Sequence, residues 1–137
     1  MQIQPYLIFE GRCEEALDFY RSVLGAEITL LMRYKESPEP PLPGCLAPGS
    51  EEKIMHASIR IGETTIMASD GMCQGKPNFQ GFTLALNLAS EAEVDRIFNA
   101  LAEAGEVRIP PARTFWSPRF GMVADRFGVG WMVSVAP

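Results

Sequence analysis

One histidine, His56, is the residue best suited to proton chemistry in this sequence, and it lies in the stretch IMHASIRI at 54–61. An imidazole titrates at about 6.5, so it can act as a general acid or base at neutral pH without a special environment. His56 is therefore a candidate acid/base or ligand contact. The structural alternative is a ring that only hydrogen-bonds a neighbour such as Ser58 or Ser69.

Arg60, Trp116 and Phe120 are the side chains most suited to holding a ligand. Arg60 can bind a carboxylate or phosphate through two parallel hydrogen bonds, or it can pair with Glu63 or Asp70 at the surface. Trp116 and Phe120 flank a proline turn and can stack on a ligand as rigid aromatic rings. Their alternative is packing in the core or in a dimer interface.

Several classes of site are excluded because their motifs are missing. The sequence has no GxGxxG, GxxxxGK[ST] or GxSxG motif, and a single histidine cannot satisfy HExxH. Cys13, Cys45 and Cys73 are odd in number, widely spaced and without a CxxC pair, which argues against a disulfide scaffold and a cysteine zinc site. Cys45 has no obvious activator, so we do not expect a nucleophile there. A reduced, cytoplasmic setting is the default.

Composition indicates one ordinary globular domain of 137 residues, with 47% hydrophobic and 21% charged residues. The net charge of −5 does not favour binding to nucleic acid or to an anionic membrane surface. No apolar run approaches the roughly 18 residues that span a bilayer. The N-terminus lacks a basic region ahead of an apolar stretch, so no signal peptide is expected.

Hydrophobic periodicity predicts four strands and one helix in the first half. They are a strand at 2–9, a helix at 12–24, a strand at 26–34, and a hairpin of strands 53–61 and 64–69. Gly25 supplies a left-handed stop to the helix. The proline-rich segment 36–53 must be a surface loop, either a tolerated insertion or a lid over a pocket.

The second half repeats that order. It has a strand at 82–88, a helix that starts in a capping box of Ser90 with Glu93 and ends at Gly105, a short strand at 107–109 stopped by Pro110 and Pro111, and a hairpin of strands 120–125 and 129–135. The sequence therefore predicts an α+β fold of two tandem βαβββ modules, at about 1–72 and 80–137. A helix covers one face of each sheet, so the other faces are expected to meet and form a cleft.

Strand alternation predicts which side chains face that cleft. The expected cleft set is His56, Ser58, Arg60, Thr65, Met67, Ser69, Thr83, Ala85, Asn87, Met132 and Ser134. The alternate residues, including Phe82, Leu84, Trp131 and Val133, are expected to pack on the helices.

Three phrases carry a family resemblance across nearly the whole chain. They are PYLIFEGRCEEALDFYRSVLGAEI at 5–28, IMHASIRIGETTIMASDG at 54–71 and FWSPRFGMVADRFGVGWMVSV at 115–135. With them the sequence resembles the vicinal-oxygen-chelate superfamily, which includes glyoxalase I and bleomycin-resistance proteins. More narrowly it resembles the PhnB-like branch, often labelled as similar to a demethylubiquinone methyltransferase. The resemblance implies a glyoxalase-like domain with a central cleft and a homodimer.

The resemblance also locates the positions at which metal enzymes of the superfamily take their ligands. On this sequence they are Pro5, Met67, Thr83 and Met132, of which Met67 and Thr83 can be off by one. Proline offers no donor, and a thioether does not suit Mg, Mn, Fe or Zn. We therefore expect no metal and no other cofactor. A methyltransferase is not expected either, because no glycine-rich loop follows the first strand.

Three functional hypotheses remain open. The first is a metal-independent protein that binds a small, partly apolar molecule in the cleft and can act on it with His56 as acid/base. The second is sequestration without catalysis, as in bleomycin-resistance proteins. The third is a metal enzyme with other ligands, for example His56 with Asp70. The ligand-binding candidates are Arg60, Met67, Ser69, Thr83, Trp116, Phe120 and Met132.

Overall fold

The structure is a computed structural model that describes residues 1–39, 49–73 and 75–136. It therefore bears on only the two ends of the predicted loop at 36–53. Glu36 lies in a 3₁₀ turn, Tyr34–Glu36, and not in the loop. The hypothesis of a lid and the prediction for Cys45 fall outside the described residues.

The described elements follow the predicted β-α-β-β-β order twice. They are β1 (Tyr6–Ile8), α1 (Cys13–Leu24), β2 (Glu27–Arg33), β3 (Ile54–Ile61), β4 (Thr64–Ser69), β5 (Leu84–Leu88), α2 (Glu91–Ala102), β6 (Glu106–Ala112), β7 (Phe120–Ala124) and β8 (Gly130–Val135). They form two sheets, ordered β1-β4-β3-β2 and β5-β8-β7-β6. In each sheet the first strand pairs parallel with the last, and the other neighbours are antiparallel. The predicted α+β fold of tandem modules is confirmed.

The first compact unit, Met1–Pro77, contains α1 and the first sheet. The apolar stripe of α1 recurs at helical spacing, and Ala16, Leu17 and Tyr20 are fully buried. α1 packs against β2 and β3, where Ala57 and Ile59 are also fully buried. The helix ends, as predicted, at a glycine in the left-handed region, Gly25 with φ 66°.

The second unit, Asn78–Pro137, contains α2 and the second sheet. The predicted cap by Ser90 is present, since the Glu93 amide donates to Ser90 Oγ at 3.2 Å; the Glu93 carboxylate accepts from the amide of Ala89, the residue before the N-cap, and not from that of Ser90 as in a full capping box. The apolar face of α2 is buried through Val94, Phe98 and neighbouring residues.

The predicted end of the strand at Pro110 is wrong, because β6 runs through both prolines to Ala112. β6 is an edge strand, and its register with β7 shifts between Ile109 and Ala112. A proline at an edge or bulge removes no required hydrogen bond from the ladder, so the strand tolerates the pair.

Two other sequence predictions need correction. The strand expected at 2–9 is only Tyr6–Ile8, and the strand expected from 82 begins at Leu84. Phe82 was expected in the core, yet it precedes β5 and is 45% exposed.

No helix in the described part of the chain is long and apolar enough to cross a membrane.

Candidate functional site

The face of the first sheet away from α1, called here the first open face, is defined by strand pairing. Residues directly opposite each other on neighbouring strands point to the same side. Tyr6 of β1 is opposite Met67 of β4, and Met67 is opposite Ser58 of β3. Ser58 is opposite Leu30, and His56 is opposite Met32. The face therefore mixes polar groups with apolar ones, as the alternation predicted for residues of β3 and β4.

His56 and Tyr6 are in direct contact on this face. The Tyr6 hydroxyl lies 3.1 Å from His56 Nδ1, and the ring centroids are 5.6 Å apart. His56 is half-buried and Tyr6 is 42% exposed, so the pair is open to a small molecule. The partners expected for a purely structural ring, Ser58 and Ser69, are not the observed ones. The contact with Tyr6 was not predicted, because the two residues are 50 positions apart.

Arg60 and Ser69 are committed to other contacts. The Arg60 guanidinium donates to the Glu27 carboxylate on β2, so the surface ion pair is present but its partner is neither Glu63 nor Asp70. Both side chains of that pair are more than half exposed, so it contributes little to stability. Ser69 is buried, and its hydroxyl accepts from the Gly71 amide at 3.1 Å.

Asp70 has a structural role that the sequence did not disclose. Its carboxylate is buried; Oδ1 accepts from the Gly11 amide at 2.9 Å and the Cys13 amide at 2.7 Å, and Oδ2 accepts from Ile54 at 2.7 Å. Arg12 at the N-cap of α1 makes no side-chain capping bond. Asp70 thus caps α1 from the end of β4 and ties the helix to the start of β3.

Neither cysteine in the described segments has the character of a nucleophile. Burial raises the pKa of the Cys13 thiol well above its usual range, and the charge of Asp70 raises it further. Burial also raises the pKa of the half-buried Cys73 thiol, although a hydrogen bond with Ser50 works against this. A protonated thiol is a poor nucleophile and metal ligand.

Tyr34 gives a testable pH dependence. Its hydroxyl donates to the Gly71 carbonyl oxygen, and burial raises its pKa to about 12. The folded state thus favours the neutral phenol. Its contribution to the free energy of unfolding is complete below the unfolded pKa of about 10 and is lost as pH rises toward 12. We expect Tyr34→Phe to cost up to about 1 kcal/mol at pH about 8 and less at pH about 11, measured by urea unfolding. An equal deficit at both pH values would contradict this account.

The second open face is the side of the second sheet away from α2. Ala85 of β5 is opposite Met132 of β8, and Met132 is opposite Met122 of β7. In the next row Asn87 is opposite Ser134, with side-chain oxygens 3.4 Å apart. The predicted grouping of Ala85, Asn87, Met132 and Ser134 on one face is therefore correct.

An aromatic loop between β6 and β7 carries Trp116. The Thr114 amide donates to the Ser117 carbonyl and the Ser117 amide donates to Thr114 Oγ1, both at 3.0 Å, which fixes a tight turn. Phe115 and Trp116 are exposed at its tip, and residues 113–118 line a cavity of about 210 Å³. Phe120 is only 7% exposed and packs edge-on against Trp116, so it supports that ring and is not open for stacking.

The residues at the superfamily's metal positions do not fit a metal. Pro5 has no side-chain donor, and Met67 and Met132 offer thioethers that do not suit hard divalent cations. Within the described ranges, no group of three His, Cys, Asp or Glu side chains is placed to hold a metal ion. The alternative metal site of His56 with Asp70 is disfavoured for a different reason. Both carboxylate oxygens of Asp70 already accept hydrogen bonds from backbone amides.

Comparisons with known proteins agree with this architecture. Residues 1–134 match the family model described as 3-demethylubiquinone-9 3-methyltransferase. The chain is 37% identical to protein YjdN of Escherichia coli over 140 residues, covering 98% of this chain and 95% of that protein. It superposes on protein PA1353 from Pseudomonas aeruginosa with a TM-score of 0.86 at 42% identity, covering 99% and 98% of the two chains.

Two further structures extend the comparison. A Bacillus cereus protein titled a putative 3-demethylubiquinone-9 3-methyltransferase, PhnB protein, superposes with a TM-score of 0.81 at 29% identity, covering 99% of this chain and all of that one. The fosfomycin resistance protein FosX from Listeria monocytogenes has a TM-score of 0.68 at 14% identity, covering 100% and 94%, and so shares the fold alone. The chain therefore belongs to the PhnB-like family described as 3-demethylubiquinone-9 3-methyltransferase, within the glyoxalase/vicinal-oxygen-chelate superfamily.

Proposed function

We propose that this protein binds a small, partly apolar molecule on the first open face, without a metal, and that His56 exchanges a proton with it. The observation that carries the proposal is the hydrogen bond between the Tyr6 hydroxyl and His56 Nδ1. This contact fixes the plane of the imidazole and leaves its Nε2 for a ligand. Leu30 and Met67 supply apolar surface on the same face.

The tyrosine defines what the imidazole can do. When the Tyr6 hydroxyl donates to Nδ1, the ring proton is on Nε2, which can donate it. When Nδ1 carries the proton and donates to the tyrosine oxygen, Nε2 is a base. Tyr6 can make either hydrogen bond, so it holds the ring in both arrangements while a proton moves.

The family's description as a methyltransferase is not part of this proposal. Each sheet contains a single parallel pair, β1 with β4 and β5 with β8. The strands joined by a helix, β1 with β2 and β5 with β6, lie at opposite edges of their sheets and do not pair, so neither sheet is of the doubly wound type whose crevice holds nucleotide-like cofactors. The connection from β1 to α1 also has no glycine-rich fingerprint.

His56 allows a direct test, because one histidine gives one imidazole C2 proton signal in an NMR spectrum. We expect fragments that bind the first open face to shift this signal together with the Ser58 and Met67 amides. The His56→Gln variant should keep fragment affinity within about twofold while turnover of any substrate found falls by about 10²-fold or more. Tyr6→Phe should alter the imidazole ¹⁵N shifts and preserve the fold.

Two outcomes separate this proposal from the alternatives. Binding with no turnover in the unmodified protein would support sequestration. Binding or turnover that requires added Mn²⁺ or Zn²⁺ would contradict metal independence. If bound fragments leave the His56 signal unmoved, the assignment of His56 is wrong. Arg96→Gln is a suitable control for His56→Gln, because Arg96 is an exposed residue of α2 and is not part of the first sheet.

We further propose a homodimer in a cytoplasmic setting. Exposed apolar side chains on edge strands support the first point, namely Leu30 on β2 and Val107 and Ile109 on β6. Cys13 and Cys73, both unpaired, support the second. A molar mass of one chain in light scattering would rule out the dimer.

A further inference from the structure

A gap on the second open face is filled by an arginine. Gly130 begins β8 and is buried, and a Cβ built on it would lie 3.4 Å from Arg108 Nη1 and 3.0 Å from Thr83 Cγ2. Successive strand residues alternate sides, so this missing Cβ points to the same face as Met132. The Arg108 guanidinium therefore lies over the second open face, at van der Waals distance from the position of that Cβ.

The strands explain how Arg108 reaches this position. Arg108 lies on β6 at a register shift between Val107 and Ile109, and β7 separates β6 from β8. Gly130 is directly opposite Ala124 of β7, so the two residues beside the guanidinium are the smallest available. A bulge can redirect a side chain, and small neighbours leave room for it to extend across the sheet.

The charge of Arg108 is not neutralised by the protein. Arg12, Arg21, Arg33, Arg60 and Arg119 each form an ion pair. Over residues 1–39, 49–73 and 75–136, no ion pair or hydrogen bond of Arg108 is found, and no carboxylate lies within 4.0 Å of it.

We propose that Arg108 binds the oxyanion of a ligand on the second open face, so that this face takes small organic anions with a carboxylate or phosphoryl group. The inference goes beyond the proposed function, which concerns the first open face. A guanidinium presents paired donors that match two oxygens of such a group. Thr83 adds a hydroxyl on the neighbouring side chain, and Met132 continues the face with apolar surface for the rest of the molecule.

Arg108→Gln tests the inference, because it removes the charge and keeps a polar side chain at the same position. Arg96→Gln on α2 is the matched control, since it removes one exposed arginine elsewhere in the same unit.

The experiment is an amide NMR titration of the full chain with benzoate, phenyl phosphate and the neutral benzamide. We expect an anionic probe to shift the Gly130 and Thr83 signals with about tenfold higher affinity than benzamide. Arg108→Gln should remove that preference, and Arg96→Gln should keep it. The tighter of benzoate and phenyl phosphate identifies the oxyanion.

The possible failures are distinguishable. Equal affinity for benzoate, phenyl phosphate and benzamide at Gly130, or an anion preference that survives in Arg108→Gln, overturns the inference. Probes that shift only signals of the first open face overturn it too and leave the proposed function standing. If no probe shifts either face, both fail.

Discussion

Asp70→Ala should destabilise the protein by about 4 kcal/mol, a large part of a typical domain's stability. The substitution leaves three amides without their acceptor, those of Cys13 and Ile54, which are buried, and that of Gly11, which is half-buried. Each unsatisfied buried donor costs about 1–3 kcal/mol, and water entering the gap recovers part of the sum. Urea unfolding monitored by circular dichroism measures the change.

Asp18→Ala is the control for that experiment. Asp18 lies on the exposed side of α1, and its carboxylate is 3.7 Å from the Arg21 guanidinium in a solvent-exposed pair. Its loss should cost less than about 0.5 kcal/mol. Should Asp70→Ala behave like Asp18→Ala, the buried carboxylate would not be what holds the start of α1.

Gly105→Ala should destabilise the second unit by about 3 kcal/mol. A Cβ at Gly105 would lie 2.3 Å from the Ala124 carbonyl oxygen and 3.1 Å from the Asp125 Cα. These are backbone atoms of a buried strand end, so relief requires the turn after α2 to move away from β7. Thermal unfolding of the variant measures the loss.

Ala104→Gly provides a control of opposite sign at the adjacent residue. Ala104 has φ 60°, a conformation that glycine adopts without steric cost. The variant should be unchanged or more stable by up to about 1 kcal/mol. A Gly105→Ala protein as stable as the parent would mean that the close approach to Ala124 is easily relaxed.

Gly25 and Gly105 show which features of a helix end the local sequence can predict. The sequence predicts correctly that Gly25 ends α1 in the left-handed region. It predicts the same kind of role for Gly105, but α2 ends at Ala102 and the positive φ falls on Ala104. Gly105 is required by a neighbouring strand 19 residues away along the chain, and no local pattern indicates that contact.

For the candidate site residues, the sequence likewise predicts the face of the sheet but not the contacts. Alternation places His56 and Met67, and likewise Met132, on their faces correctly, because side-chain direction in a strand has a period of two. It cannot name the contacts that those side chains make. Phe120 was a candidate for stacking on a ligand, yet it is buried against Trp116.

The amino-acid sequence by itself determined the order of strands and helices, the capping of α2, the repeat of two modules and the face of most strand residues. Each follows from neighbours within a few positions, where propensity, periodicity and capping act. Only the tertiary structure decided that Tyr6 meets His56, that Asp70 caps α1, and that Arg108 lies beside Gly130. Those contacts join residues 22 to 57 positions apart, and sheet pairing and register alone bring them together.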